Sequence, residues 1–521
     1  MTGPCSVFDL LAEATRYKED GPLFSDDVES ASAAQVMARA DSLARGLQAH
    51  GMSKGDRAVF LVGGSVQHAV AFFACMRLGL VPCALHVRMA PSRLAQTTAW
   101  LGARLIVADE ANLAQAEYVR RHSGVDLAIV LSPMPSQSAG LEWTSVQEVS
   151  QTEWEGVLPT NDLDDLAYII LSSGTTGEPK GVMHSHRTAL ASVAAGKAVF
   201  GDAGSKDVVL LAVTPSFAAW INCVLPFTAV GAEIFFQSRF TPTGLIAALE
   251  DQPVTYVPLP PTLWRMLMDE SRSIKAPSLR YLFFSGEPGS QSLVDDLLET
   301  FPLAQLRGAW LSSEAGCGAG IVADDSLLKT PGKANAAGVP VPGARIRFSQ
   351  PQGELTDYSV AGEIVVESTS VSIGYWGQPE DLDGRLHAGR WRTGDMAALD
   401  SEGIIFIHGR IDNVINTGGI KVHAEEVESI LLSHPAVLMA AVIGVPDHLW
   451  GQTIEGHVTT RGQVTAQEIL AHCRSLDVET YKIPKRIVFH EGSLPTTPSG
   501  KIYRKGLVPE PVESKAVHQP R

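Results

Sequence analysis

Apolar residues recur at helical spacing over Ala33–His50, AAQVMARADSLARGLQAH, and the run stops at Gly51. A stripe with that period and a polar opposite face predicts an amphipathic helix, with glycine marking its end. Arg57–Val62 then reads as a short strand, Val66–Gly79 as a second helix, and Leu105–Asp109 and Leu127–Leu131 as further strands. Strands alternating with helices predict a layered α/β unit with a largely parallel sheet. The Pro- and Ser-rich stretch Ser132–Gly140 predicts a surface loop. A second α/β stretch follows, with strands near Ala167–Leu171, Val208–Val213, Glu233–Phe236, Tyr256–Pro258 and Tyr281–Phe284.

From about Gly338 the pattern shortens. Arg345–Phe348, Glu363–Glu367, Ala397–Leu399 and Ile404–His408 alternate with Gly and Pro turns, which predicts a small all-β unit. After Gly409 strands and helices return to about Leu507, and Val508–Arg521, broken by Pro509, Pro511 and Pro520, reads as a frayed tail. The apolar stretch Phe217–Phe236 approaches membrane-span length, but Asn222, Pro226, Gly231 and Glu233 interrupt it. It reads as a buried helix, a turn and a strand.

A chain of 521 residues exceeds one hydrophobic core, so several structural units are expected. The balance of 41 Lys and Arg against 57 Asp and Glu gives a net charge of −16 with no dense basic run, which argues against nucleic acid as the main partner. The six cysteines, Cys5, Cys75, Cys83, Cys223, Cys317 and Cys473, are scattered with neither a CxxC pair nor metal-ligand spacing. That usage fits a reducing compartment. Acidic residues stand where an N-terminal signal peptide would need an apolar run, so a cytoplasmic location is expected.

The sharpest chemical signal is Ile169–Lys180, IILSSGTTGEPK. A strand enters a polar loop of Ser172, Ser173, Gly174, Thr175, Thr176 and Gly177, and a helical pattern starts at His186. Small residues let several backbone N–H groups and hydroxyls converge on a phosphate oxygen, while Lys180 supplies charge. The string is not a Walker A loop, since Pro179 precedes Lys180 and Gly181 follows it. Taken alone, the loop is compatible with an ordinary Gly/Ser/Thr surface turn.

The string resembles the phosphate loop of the adenylate-forming superfamily, which includes acyl- and aryl-CoA ligases, peptide-synthetase adenylation domains and luciferases. The resemblance continues in order along the chain. Trp310-Leu311-Ser312-Ser313-Glu314 stands where the family has Tyr-Gly-x-Thr-Glu. It implies that Trp310 stacks on adenine, that Ser313 lies at the nucleotide, and that Glu314 helps hold Mg²⁺; Leu311 in place of Gly is a departure. Ser285-Gly286-Glu287-Pro288 resembles the turn along the adenine and acyl pocket. Trp391-Arg392-Thr393-Gly394-Asp395 resembles the segment whose Asp grips the ribose hydroxyls, a task for which a carboxylate is chemically apt. Gly409-Arg410-Ile411-Asp412 resembles the domain junction, with Arg410 on ribose or phosphate and Asp412 as hinge. Gly418-Gly419 resembles the pair lining the pantetheine tunnel, where the lack of a Cβ admits a thin thiol arm. Leu494–Lys501, LPTTPSGK, resembles the loop whose lysine, here Lys501, stabilises charge between the substrate carboxylate and the α-phosphate.

The resemblance implies an α/β fold: a large N-terminal domain over 1–411, built of two α/β lobes plus a small β-barrel at about 338–408. A smaller, mobile α+β C-terminal domain would follow over 412–507, with 508–521 as a flexible tail. It implies ATP-dependent formation of an acyl-adenylate with pyrophosphate release, then a thioester with coenzyme A, the work of an AMP-forming acid–thiol ligase. Lys501, Glu314 and Thr176 would be the catalytic residues, and ATP, Mg²⁺ and CoA the cofactors. The alternative is a stand-alone adenylation enzyme that loads a carrier-protein phosphopantetheine thiol. Many ligases of this kind carry a His where Ala218 stands in Pro215-Ser216-Phe217-Ala218, so any carboxylate contact it makes must come from elsewhere. Phe217, Trp220, Ser285, Ala309 and Cys317 are the expected pocket walls, and their mix of aromatic and small side chains fits a medium-sized apolar acid or an aromatic acid.

Overall fold

The computed structural model describes residues 4–132, 142–173, 179–271, 273–349, 355–356, 361–378, 384–387, 389–476, 478–495 and 502–507. The chain divides into two compact units, Met1–Ile407 and His408–Arg521. Asp412 lies just inside the second.

In the first unit, the alternation near the N-terminus folds as expected. Its five-stranded sheet runs Val81–Ala84, Arg57–Leu61, Ala103–Ala108, Leu127–Val130, Thr144–Ser145, all parallel. Helix Ala33–Ala49 starts at a capping box, in which Ser32 Oγ accepts from the Gln35 amide while Gln35 Oε1 accepts from the Ser32 amide. It packs on helix Val146–Gln151 through Gly46, where a Cβ would stand 1.8 Å from the Val149 carbonyl oxygen. Helix Val66–Leu78 is buried on nearly every side and ends at Gly79, whose φ of 79° is left-handed.

A nine-stranded sheet forms the second lobe. Its centre, from Gln305–Ser312 through Tyr281–Ser285, Tyr256–Pro258, Val208–Leu211 and Glu233–Phe236 to Pro22–Ser25, is parallel. Antiparallel strands close both ends. The suspected membrane stretch resolves into helix Ala218–Ala229, a turn at Gly231 and strand Glu233–Phe236. Pro226 is tolerated inside that helix and packs on Gly196 of helix His186–Phe200, where a Cβ would lie 2.5 Å from its own. No helix among the described residues is long and apolar enough to cross a membrane.

The all-β expectation is met by an antiparallel sheet of Leu355–Thr356, Arg345–Ser349, Gly362–Glu367, Arg390–Leu399 and Leu386–His387. The same stretch also feeds other sheets. Val339–Pro340 joins the nine-stranded sheet, and Gly374–Tyr375 pairs with Pro179–Ser185.

The second unit is a sheet of Ile420–His423, Val414–Thr417, Gly451–Thr460 and Val437–Asp447, with Arg486–Phe489 alongside Gly451–Thr460. Helices Ala424–Leu432 and Ala466–Ser475 cover a core that includes Val422, Val427, Val442, Val458 and Ile469.

Introducing a methyl into the contact between helices Ala33–Ala49 and Val146–Gln151 forces them apart. Gly46→Ala is expected to lower stability by about 1–3 kcal/mol despite the better helix propensity of alanine. Denaturant unfolding followed by far-UV circular dichroism measures it.

Candidate active site

The sequence pattern predicts a strand, a polar loop and then a helix. The structure inserts a second strand: Pro179–Ser185 pairs antiparallel with Leu166–Ser173 and sets Lys180 opposite Ser172. Helix His186–Phe200 begins only after it, capped by Ser185 Oγ accepting from the Thr188 amide. Gly174, Thr175, Thr176 and Gly177, the side chain of Ser173, and Lys501 lie outside the described residues.

Gly374–Tyr375 adds a third strand, with Tyr375 opposite Val182. Lys180 Nζ stands 5.2 Å above the Tyr375 ring centroid, within cation–π range. The Tyr375 hydroxyl donates to Glu314 Oε1 at 3.3 Å, and the Ser372 amide donates to the Glu314 carbonyl at 2.7 Å. Pairing thus collects a lysine, a phenol and a carboxylate at the start of the polar loop. Tyr375 was not recognised in the sequence, because nothing in Ile373-Gly374-Tyr375-Trp376 marks it as more than a turn between short strands.

Beneath this group sits His184, stacked on Tyr168 at 5.1 Å. Its Nε2–H donates to the Ser313 carbonyl at 2.8 Å, which holds the backbone beside Glu314. Burial pushes its imidazole down to about 4, so the ring is neutral. His186 is likewise lowered to about 4 by burial, and its Nδ1 accepts from the Val7 amide at 3.1 Å. Both histidines hold the scaffold.

Trp310 and Asp395 meet directly, with the indole N–H donating to Asp395 Oδ2 at 3.0 Å. Trp391 stacks on Trp310 at 6.2 Å and 18°. Asp395 is nearly buried, and its amide donates to Thr393 Oγ1. The preceding Gly394 has φ 78°, a conformation that favours glycine, and its amide donates to Glu363. Arg392 is paired with the same Glu363. The Trp-Arg-Thr-Gly-Asp string therefore serves to aim one carboxylate. Leu311, the departure from the family glycine, fits because Gly320 faces it: a Cβ there would meet Leu311 Cδ2 at 3.2 Å.

Other expected residues fall in different surroundings. Gly286 has φ 89°, as a tight turn requires, and Pro288 follows it. The Glu287 carboxylate is engaged elsewhere: its Oε2 accepts from the Thr262 amide at 3.1 Å and hydroxyl at 2.6 Å, which caps helix Pro261–Glu270. Ser285 and Ala309 lie side by side in register on neighbouring strands. Phe217 precedes helix Ala218–Ala229 and rests 5.3 Å from the His86 ring. Cys317, expected as a pocket wall, is fully enclosed; its amide donates to Ser192 Oγ and its thiol lies 3.5 Å from the Asn222 carbonyl. Burial pushes that thiol up to about 12, so it packs behind the wall as an inert side chain.

In the second unit, Arg410 Nη2 lies 3.6 Å from Asp412 Oδ2, a partly exposed pair worth little. Gly418 and Gly419, with φ 60° and 85°, form the two-residue turn between Thr417 and Ile420, which are paired in register. Positive φ at both central residues is the type I′ hairpin requirement. The pair has a backbone reason to be glycine, independent of any ligand.

Among the described residues no group of three His, Cys, Asp or Glu could hold a metal ion. Glu314 is one hard oxygen donor, which fits a magnesium ion held chiefly by a nucleotide's own phosphates.

The histidine under the site has a consequence for pH. A histidine in the unfolded chain titrates near 6.5, and folded His184 at about 4. Between those values only the unfolded chain binds the proton, so stability falls as pH drops from 6.5 towards 4. At pH 5 the loss is about 2 kcal/mol relative to pH 7.5. His184→Gln is expected to flatten this acid limb by about that amount, measured as the urea midpoint against pH.

Residues 11–376 match the family model described as AMP-binding enzyme, and residues 426–501 match the AMP-binding enzyme C-terminal domain. The feruloyl-CoA synthase of Amycolatopsis sp. is 31% identical over 476 residues, 90% of this chain and 92% of the relative. The long-chain-fatty-acid–CoA ligase FadD13 of Mycobacterium tuberculosis is 26% identical over 477 residues, 91% and 92% of the two chains. Among solved structures, the anthranilate CoA ligase AuaEII in complex with anthranoyl-AMP superposes with a TM-score of 0.85 at 21% identity, covering 96% of each chain. The family-model match spans well over half the chain and takes in Ser172, Lys180, Trp310, Glu314 and Tyr375 alike: the chain belongs to the AMP-binding enzyme family.

Proposed function

We propose that the protein is an AMP-forming acyl- or aryl-CoA ligase. A substrate carboxylate oxygen attacks the α-phosphorus of ATP and pyrophosphate leaves. The thiol of CoA, giving up its proton, then attacks the acyl carbonyl, and AMP departs as the thioester forms. The observation that carries this reading is the convergence of Lys180, Tyr375 and Glu314 on the hairpin that opens into the polar loop. The relatives reported above are named as CoA ligases or synthases, which favours CoA over a carrier-protein thiol as acceptor. Six free cysteines, five of them buried, fit a cytoplasmic location.

In this reading Trp310 offers its face to adenine while its N–H holds the Asp395 carboxylate ready for the ribose hydroxyls. Ser172, Ser173, Lys180 and the loop 174–177 bind phosphate, and Thr176 touches the reacting end. Glu314, oriented by Tyr375, would help hold a magnesium ion, which would shield the triphosphate charge. Lys501 stabilises charge at the α-phosphate during adenylation. Asp412 is the hinge of a mobile C-terminal domain, Arg410 contacts ribose or phosphate, and Gly418-Gly419 passes the pantetheine arm.

The deciding assay follows pyrophosphate and acyl-CoA in parallel over a panel of carboxylic acids, with and without CoA. Acid-dependent pyrophosphate release and a CoA thioester are expected; a protein inert towards every acid overturns the reading. Lys501→Ala should lower pyrophosphate release by about 10²–10³-fold and spare thioester formation from a supplied acyl-adenylate. Trp310→Phe keeps an aromatic face, though a smaller one, and removes the donor to Asp395. The KM for ATP should rise about tenfold with kcat little changed, as expected for a lost hydrogen bond to a charged group.

A further inference from the structure

Strand Val437–Asp447 lies at the edge of the second unit's sheet, and helix Ala424–Leu432 packs against it. Glu425 and Glu428 fall three residues apart on that helix, so both carboxylates share one face. Glu428 is buried, and its Oε1 accepts from the Val442 amide at 2.8 Å. Arg504 closes on the same carboxylate as a fork: Nη2 donates to Oε2 at 2.7 Å and Nε donates to Oε1 at 3.1 Å. Nη2 also lies 3.3 Å from Glu425 Oε1, which accepts from Asn413 Nδ2 at 2.5 Å. One arginine thus joins an edge strand, a helix and, through Glu425, the turn Ile411–Asn413 that contains Asp412.

Arg504 opens the short helical turn Arg504–Leu507. Leu507 and Leu494 are buried together against Ala441 and Ile443, with Ile502 packed beside them. The Tyr503 amide donates to the Pro495 carbonyl at 2.8 Å, so the chain at Tyr503 is tied back to Pro495. Lys501 stands between those two residues in the sequence, three positions before Arg504, a reach of at most about 11 Å.

Apolar contact and the charged fork do different work here. Burial of Leu494 and Leu507 holds the segment to the sheet, but that attraction has no direction. A bidentate guanidinium–carboxylate pair fixes plane and register as well as distance. Stability alone does not call for charges at this place. Apolar side chains of similar volume commonly replace a buried ion pair without loss, because desolvation offsets the attraction. A reacting group misplaced by about 1 Å, by contrast, costs about a hundredfold in rate. We propose that Glu428 and Arg504 are positioning residues of the adenylation half-reaction, which hold the backbone following Lys501 in register with the helix and the edge strand. The inference rests on the adenylation reading and adds two residues that act through Lys501.

The test follows both half-reactions of the full-length protein with the acid it uses best: pyrophosphate release for adenylation, and thioester formation from supplied acyl-adenylate and CoA. Arg504→Lys keeps the charge and loses the fork. Its kcat for pyrophosphate release should fall about tenfold to a hundredfold, with KM for ATP and for the acid within about twofold of wild type. Thioester formation should stay within about threefold. Arg504→Met combined with Glu428→Met replaces the pair by apolar side chains. Thermal melting should place it within a few degrees of wild type, yet its adenylation should be at least as slow as that of Arg504→Lys. A pair that served stability alone would let adenylation recover along with the melting temperature. Wild-type adenylation in a folded variant, equal loss of both half-reactions, or unfolding of both variants overturns the inference; if only the double variant unfolds, Arg504→Lys decides. Wild type inert towards every acid of the panel overturns the adenylation reading, and this inference with it.

Discussion

Antiparallel pairing of Leu166–Ser173 with Pro179–Ser185 is the constraint on which the candidate site depends. A one-residue slip in that ladder would turn every side chain to the opposite face. Lys180 would leave the Tyr375 ring, and Met183 would no longer face Gly374, where pairing brings in the third strand. Tyr375 reaches Glu314 only because that third strand is in register. The chemistry at the loop is thus a product of hydrogen-bond register between segments distant in the chain.

A second economy concerns carboxylates. Asp395 is aimed by a glycine in left-handed conformation, an indole donor and a threonine hydroxyl, while neighbouring Arg392 is drawn off by Glu363. The strand delivers one acceptor and neutralises its surroundings. Glu287, by contrast, closes the start of a helix, so two acidic residues that look equivalent in their motifs do different work. Burial decides the histidines in the same way. His184 and His186 sit in sequence beside the polar loop, yet desolvation keeps them neutral and their ring nitrogens hold backbone groups.

Gly418-Gly419 shows how one residue pair can meet two demands. The hairpin turn needs positive φ at both positions, and that need stands whether or not a thiol arm passes over it. The positions differ in their surroundings: a Cβ on Gly418 would meet Trp450 at 2.7 Å, whereas nothing lies within 4 Å of one on Gly419. Backbone conformation accounts for both glycines, and close packing adds a second reason at Gly418 alone.

The order and type of most elements were legible in the sequence, because helical and strand periodicity, caps and Gly or Pro stops are local properties. Glu233–Phe236 and Tyr256–Pro258 were placed to the residue, and the interrupted run at Phe217–Phe236 was correctly read as helix, turn and strand. The strings around Ser172, Trp310, Asp395 and Lys501 pointed to the chemistry through their resemblance, in order along the chain, to the motifs of the adenylate-forming family. Strand Pro179–Ser185 was missed because PKGVMHS has no alternation; its two partners, far apart in sequence, make it a strand. Tyr375, the Trp310 donor to Asp395 and the enclosure of Cys317 are invisible for one physical reason. Burial and hydrogen-bond partnership depend on which distant segments pack together, and only the tertiary structure decides that.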